Sequence, residues 1–366
     1  MIRALGMMSG TSMDGVDAAL IDTDGSDIAG FGRSGFLPVS DNEAAILDAA
    51  RGLWPGDPGV AQAAAISESA HVQLAADFPE AQLIGYHGQT LVHDPRGRGT
   101  HQAGDGAALA RRIGRPVVWD FRSEDVRQGG EGAPLAPFFH WACAKWAIGQ
   151  GHLPTAPLAF LNLGGVGNIT WLDPAAPAPQ ADGACLAFDT GPANAPINDL
   201  MRARRRQSRD EGGALAAAGR ADSGAVADFL RHPFFGRKPP KSLDRDQFAG
   251  LAAAVSGLAD ADAAATLVAA LAGSVAAAFR WLPAAPALVL VCGGGRHNGA
   301  IMSALRDILP ARVMPVEAAG LDGDMLEAQA FGWLAVRVMR GLPTSGPGTT
   351  GVPAPACGGR ISHPRL

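Results

Sequence analysis

Lysine is scarce in this chain of 366 residues: it stands only at Lys145, Lys238 and Lys241, and the remaining cationic side chains, histidine aside, are arginine. The one basic block, Arg202-Ala203-Arg204-Arg205-Arg206, is too small to track a phosphate backbone, so no nucleic-acid partner is expected. Cysteine is sparse too. Cys143, Cys185, Cys292 and Cys357 lie far apart, with no Cys-x-x-Cys pair and no histidine spacing suited to zinc, which fits a reduced, cytoplasmic protein. No targeting segment is expected, because Met1 to Met8 is too short for a signal core and runs into a polar, glycine-rich turn. The uncharged apolar run Ala263 to Phe279 is mostly alanine, is interrupted by Thr266, Gly273 and Ser274, and follows Asp260 and Asp262. It reads as a buried helix of a soluble protein, with no membrane partner. Two nucleotide signatures are absent as well: there is no G-x-x-x-x-G-K-[ST], and no G-x-G-x-x-G joins a strand to a helix, so P-loop and Rossmann chemistry fit poorly.

What is present is 47% hydrophobic and 18% charged with a net charge of -5, a soluble globular composition long enough for two domains. Gly 48 and Pro 27 follow no collagen-like period and no low-complexity tract, so they punctuate a loop-rich fold. Ile2 to Met8 predicts a strand, Ser9 to Gly15 a tight turn, and Val16 to Asp22 a returning strand. Helical pattern follows over Asn42 to Leu53 and Gly59 to Phe78, and a buried strand from Gln82 to Tyr86 ends at His87-Gly88-Gln89-Thr90. A helix near Gly106 to Ile113, a strand Pro116 to Trp119 and a helix Phe138 to Ile148 lead to a boundary near Pro154 and Pro157. The opening pattern then recurs: strand Leu158 to Leu163, glycine turn Gly164 to Asn168, strand Ile169 to Leu172. A strand Cys185 to Phe188 ends in a turn Asp189 to Asn194 and a helix, and alanine-rich helices precede the strand Ala287 to Cys292 and its Gly293-Gly294-Gly295. A helix Met325 to Arg340 and a Gly/Pro-rich tail close the chain. Strands alternating with helices argue an α/β fold.

The glycine turns suggest chemistry. Backbone N–H groups around Gly10 and Gly15, with hydroxyls of Ser9, Thr11 and Ser12, form a candidate phosphate cradle, and Asp14 could hold a phosphate-bound metal; a hairpin tip bonded to itself explains the residues equally well. Asp189 at a strand exit can act as a general base, orient water or hold magnesium, or it can simply cap the next helix. Gly293 to Gly295 would let a planar base or ribose approach the backbone, though a glycine turn before a helix is common. His87, Gln89, His93 and His101 lie close in sequence, and polar sugar contacts account for them better than a metal site.

Together the turns resemble the acetate and sugar kinase/heat-shock 70/actin superfamily. Within it the chain is similar to the anhydro-N-acetylmuramic acid kinase family through Gly6 to Asp17, His87-Gly88-Gln89-Thr90, Asp120-Phe121-Arg122 with Gly132-Ala133-Pro134-Leu135, Phe188 to Pro192, Pro239-Pro240-Lys241-Ser242 and Cys292 to Gly295, in order from Gly6 to about Gly351. The resemblance implies a two-domain actin-like ATPase (ribonuclease H-like) fold, with mixed sheets flanked by helices and ATP in the interdomain cleft. Residues 1–140, with a C-terminal helix of about 325–366 packing back, would form the first lobe and 141–324 the second. The lobes are expected to close on substrates about a hinge near Pro137 and Met325.

The implied activity opens the 1,6-anhydro ring of anhydro-N-acetylmuramic acid with water and phosphorylates O6 with ATP, giving N-acetylmuramic acid 6-phosphate and ADP, in cell-wall recycling. Asp189 would be the base. Gly10, Thr11, Ser12, Met13, Asp14, Gly15, Val16 and Asp17, with Gly165, Gly191, Gly293, Gly294 and Gly295, would bind the nucleotide, and His87, Gln89, Arg122 and Glu327 the sugar. Magnesium is implied without a named ligand, and a homodimer is implied. This chain departs from the family pattern at Glu131, usually glutamine, at Leu243-Asp244, usually Thr-Gly, and at the turn Gly104-Asp105-Gly106, where the family has Asp-Pro. These departures favour a related kinase for another sugar as the alternative; a non-kinase nucleotide switch of the same fold is the other.

Overall fold

The computed structural model describes residues 1–10, 12–243 and 248–364. Among them twelve strands occur in chain order: β1 (Ile2–Ser9), β2 (Gly15–Thr23), β3 (Ile28–Pro38), β4 (Leu83–Asp94), β5 (Gly99–Ala103), β6 (Val117–Trp119), β7 (Leu158–Leu163), β8 (Val166–Leu172), β9 (Cys185–Pro192), β10 (Leu288–Cys292), β11 (Arg312–Pro315) and β12 (Arg360–Ser362). The α-helices are α1 (Asp41–Ala49), α2 (Val60–Ala76), α3 (Gly106–Ile113), α4 (Ser123–Arg127), α5 (Pro137–Gly149), α6 (Asn194–Arg205), α7 (Ala214–Ala218), α8 (Ser223–Leu230), α9 (Ala249–Ala254), α10 (Asp260–Ala278), α11 (Gly299–Ile308) and α12 (Leu326–Met339). The chain divides into two units: 1–146 with 177–182 and 325–366, and 147–176 with 183–324. The division therefore falls inside α5, and a short segment after β8 returns to the first unit.

The first unit is built on a sheet ordered β12-β6-β4-β1-β2-β3, with β5 paired to β4. Its strands β1 and β2 form the expected antiparallel hairpin, while β4 joins β1 in parallel. On one face α2 presents Val60, Ala63, Ser67, His71 and Leu74, one stripe of an α-helix, and Leu74 packs with Leu5, Leu20, Ile84 and Phe78. The other face is decided by glycine. Gly6 and Gly85 are paired neighbours on β1 and β4, and a Cβ on Gly6 would lie 1.7 Å from the Ala328 carbonyl oxygen and one on Gly85 2.1 Å from that of Phe331. The backbone of α12 thus lies directly on the strands, which buries Trp333, Leu334 and Ala335 completely. Burial of a large side chain such as Trp333 stabilises by about 2 kcal/mol.

In the second unit the sheet runs β11-β10-β7-β8-β9, with β10 parallel to β7 and β11 and the β7–β8–β9 strands antiparallel. The alanine-rich helix α10 is its core element: Ala263, Leu267, Leu271 and Val275 are buried together with Val289, Val291 and Ile169.

Three expectations about elements need correction. β4 does not end at Tyr86 but continues through His87-Gly88-Gln89-Thr90 to Asp94, because β5 supplies a partner that polar residues gave no reason to expect. Asp189 to Gly191 is not a turn but part of β9, held by pairing to β8. The Gly/Pro-rich tail carries β12, which pairs antiparallel with β6. β3 and β11 had no counterpart in the sequence reading.

Candidate active site

In the first unit the expected site residues gather where β1 ends beside the middle of β4. Gln89, 1% exposed, donates from Nε2 to the Gly10 carbonyl at 3.1 Å, and Ser9 Oγ donates to the Gly88 carbonyl at 3.3 Å. Within the turn, Met13 N–H donates to the Gly10 carbonyl at 3.3 Å and Ser12 Oγ to Asp14 Oδ1 at 2.7 Å. Met13 takes a left-handed φ of 56° and sends its side chain into an apolar cluster with Leu47, Ala50 and Val60, while Val16 is core. Any nucleotide contact from these two is therefore through backbone alone. Gly15 opens β2 beneath the Phe36 ring, and Asp17 sits in β2 opposite Met8. Thr11 lies outside the described residues.

A second cluster surrounds Arg122. His87 is buried; its Nδ1–H donates to the Gly88 carbonyl at 2.7 Å, and its Nε2 accepts from Arg122 Nε at 3.1 Å and Nη2 at 3.0 Å. Burial, with the Arg122 charge next, holds its pKa well below the usual histidine range. Both ring nitrogens are thus engaged within the protein, and the neutral imidazole orients the Arg122 guanidinium. Arg122 Nη1 donates to the Gly132 carbonyl at 2.8 Å, leaving two of its five N–H bonds for a ligand. Burial lowers its pKa to about 10 against the opposing charges of Glu327 and Asp125. Glu327 stands in the first turn of α12, so the glycine-mediated seat of that helix sets its distance from the guanidinium. Asp125, fully buried, accepts from Gly132 N–H at 2.7 Å and Thr350 Oγ1 at 2.6 Å, and also from Ser345 Oγ. It ties the C-terminal segment to the Gly129–Gly132 loop.

The second unit holds Asp189 and the other glycine turns. Asp189 Oδ1 accepts from Asn168 Nδ2 at 2.9 Å and Oδ2 from Leu243 N–H at 2.8 Å; its own N–H donates to the Lys241 carbonyl at 3.1 Å. Burial raises the Asp189 pKa above the ordinary carboxylate value, partly offset by Asn168, Leu243 and the Lys241 charge. It caps no helix, since α6 has Ala193 as its N-cap residue and no side-chain cap. The glycine segments meet at one sheet end: Ala193 N–H donates to the Gly165 carbonyl at 3.0 Å, and Gly191 faces Gly167 across the β8–β9 ladder. Gly293, at φ 73°, abuts Leu163 so closely that a Cβ would lie 2.9 Å from its backbone, while one on Gly295 would lie 2.5 Å from the Leu163 Cβ. Gly294 adjoins the Asn194 amide. A pocket of about 390 Å³ opens beside Gly165 between α6 and α9, with apolar walls from Pro192, Leu200 and Phe248.

The family profile described as anhydro-N-acetylmuramic acid kinase matches residues 2–364. The chain belongs to that family. It is 60% identical over 363 residues to the anhydro-N-acetylmuramic acid kinase of Cereibacter sphaeroides, covering 99% of this chain and 96% of that one. Its identity to the namesake of Ruegeria sp. (strain TM1040) is 57% over 363 residues, covering 99% and 95%. A solved structure of an activator of 2-hydroxyisocaproyl-CoA dehydratase from Clostridium difficile aligns over 93% of this chain and 96% of its own, at 12% identity and a TM-score of 0.45.

As a member of the anhydro-N-acetylmuramic acid kinase family the chain is a kinase, and the nucleotide-switch alternative falls away. Its Glu131 carboxylate is paired with Arg96, whose Nε donates to Oε1 at 2.8 Å, so the extra negative charge is compensated where it arises. Of the second departure, Leu243 supplies a backbone N–H to Asp189, which any residue but proline can do, and Asp244 lies outside the described residues. The third departure costs little: Asp105 caps α3 by accepting from Ala107 N–H at 2.8 Å. Sequence reasoning assigned no part to Asn168, Lys241, Asp125 or Arg96. Lys241 did lie in a recognised motif and Asn168 at the end of an expected glycine turn; Asp125 and Arg96 carried no local signal, because their partners are distant in sequence.

Proposed function

We propose that this chain is an ATP-dependent kinase acting on 1,6-anhydro-N-acetylmuramic acid in cell-wall recycling. Water attacks the anomeric carbon, the bond from that carbon to O6 breaks, and O6 takes the γ-phosphoryl group as ADP leaves. The products are N-acetylmuramic acid 6-phosphate and ADP. The anhydro ether offers no hydroxyl proton at O6, so the base acts on water. Asp189 takes that proton; the supporting observation is a part-buried carboxylate whose two oxygens are each held, among the described residues, by one N–H donor and whose pKa is raised by desolvation above the ordinary carboxylate value.

The Gly10–Asp17 segment, Gly165, Gly191 and Gly293 to Gly295 bind the nucleotide, largely through backbone. Arg122, oriented by His87, binds the sugar with Gln89 and Glu327. Among the described residues no group of three or more His, Cys, Asp or Glu could enclose a metal ion. Asp14, the carboxylate at the phosphate turn, would hold magnesium, which binds through one or two carboxylates together with phosphates and water. The ion would supply neutralisation of the developing phosphate charge. The protein acts in the cytoplasm, consistent with four free cysteines, and as a homodimer, the assembly that the family resemblance implies.

Incubation with Mg-ATP and the anhydro sugar in oxygen-18 water, followed by mass spectrometry, tests the chemistry. One label at the anomeric oxygen of a sugar phosphate is expected, and Asp189→Asn is expected to yield no product while retaining ATP binding. Turnover by a folded Asp189→Asn protein would refute the assignment of the base; an unlabelled product would refute water attack.

A further inference from the structure

We propose that Asn168 and Lys241 are positioning residues that clamp the Asp189 carboxylate from two sides, leaving, among the described residues, one lone pair on each oxygen for the attacking water. The inference rests on the reading of Asp189 as the base. One jaw is rigid: Asn168 sits on β8 directly opposite Asp189 on β9, just past a register shift after Gly167, and its Nδ2 donates to Oδ1 at 2.9 Å. The other is a strap without regular structure, residues 241–243, whose Leu243 N–H donates to Oδ2 at 2.8 Å and whose Lys241 carbonyl accepts the Asp189 N–H at 3.1 Å.

An irregular strap needs an anchor. The Lys241 side chain is 6% exposed, donates from Nζ to the Phe234 carbonyl at 3.2 Å, and lies 4.5 Å from the Phe234 ring centroid and 5.6 Å from that of Phe188. Holding a cation there is costly unless it is paired or bound, and burial accordingly lowers its pKa to about 8. What the anchorage secures is the Leu243 N–H. Each carboxylate oxygen carries two lone pairs, so one clamp bond apiece fixes the plane of the group and leaves the second pair unspent. The same donors favour the ionised form and so oppose the upward shift that burial imposes. Lys241 is the charged group acting on Asp189 across the strap, and Arg280 and Arg237 act in turn on Lys241.

The test compares Asn168→Ala, Lys241→Met and Asp189→Asn in the full chain, measuring kcat and both KM values from about pH 5.5 to 9, with ATP affinity by calorimetry. Asn168→Ala and Lys241→Met are expected to lower kcat at pH 7 by about tenfold or more, to shift the acid limb of the profile to higher pH, to recover part of the loss near pH 9, and to leave ATP affinity within about twofold. A variant that merely loosens the fold would lose activity at every pH. If Lys241→Met does not fold, Asn168→Ala and Asn168→Ser decide the matter. An unmoved acid limb with kcat within about twofold of the parent, alongside an inactive Asp189→Asn, overturns the clamp while sparing the base. Activity in Asp189→Asn overturns both.

Discussion

Replacing Gly6 by alanine probes the contact that seats α12 and with it Glu327. The added methyl would stand 1.7 Å from the Ala328 oxygen, 2.3 Å from Gly332 N and 2.9 Å from the Ala328 carbonyl carbon. All three are backbone atoms, so no rotamer change can relieve the clash. Restoring an ordinary separation of 3.4 Å from 1.7 Å requires the helix to retreat by about 1.7 Å (3.4 − 1.7). Overpacking a core commonly costs 1–3 kcal/mol, and displacement of a whole buried helix belongs at or above that range, about 4 kcal/mol. For a unit of this size that corresponds to a fall in Tm of about 10 °C, read by calorimetry as a shift of the first unit's transition. Gly30→Ala is the control: it makes the same chemical change in β3, where a Cβ meets nothing within 4 Å, and is expected to stay within about 0.5 kcal/mol of the parent. Because Glu327 precedes Ala328, Gly6→Ala is also expected to weaken sugar use. A Gly6→Ala protein as stable as Gly30→Ala would refute the direct seating of α12 on β1.

Three further outcomes follow from the same geometry. Arg122→Lys keeps a charge but cannot reach His87 Nε2 and the Gly132 carbonyl together, so KM for the sugar is expected to rise about tenfold with KM for ATP unchanged; equal effects on both would argue against a sugar-facing role. Burial holds His71 at about 4 and His140 at about 3. Unfolded, both protonate near 6.5, so the stability from keeping them neutral is complete above that pH and is lost as pH falls toward the folded values, about 2 kcal/mol each by pH 5. A urea midpoint that stays flat between pH 7.5 and 5 would contradict this. Glu131→Gln removes the half-exposed pair with Arg96, whose charge compensation leaves the sugar little to gain; sugar KM within about threefold of the parent is expected, and a much larger drop would show that the carboxylate repels the substrate.

Much of the order of elements was legible. The two glycine-tipped hairpins stand out because apolar runs flank polar turns, and both occur, as β1–β2 and β7–β8. Strand ends were misread where the side chains turn polar while the backbone stays paired: β4 through Asp94 and β9 through Pro192. Composition marks a segment as polar, whereas pairing depends on a partner strand, which a local window does not contain. Residue types were found more readily than roles. His87 was picked out as a sugar contact from its polar neighbours and its His-Gly-Gln-Thr motif, which could not tell that its ring nitrogens bond the Gly88 carbonyl and Arg122. Lys241, one of three lysines, drew notice only for its rarity and its motif.

The sequence by itself determined the class of elements, the glycine turns at the strand ends and, through the spacing of its motifs, membership of a kinase family. Those properties are local or additive along the chain. Only the tertiary structure decided that Gly6 and Gly85 pair beneath α12, that Asp125 binds a segment more than two hundred residues away, and that Asp189 is held between Asn168 and Leu243. Each depends on a short distance between residues far apart in sequence, and hydrogen bonding and van der Waals exclusion act over that distance alone.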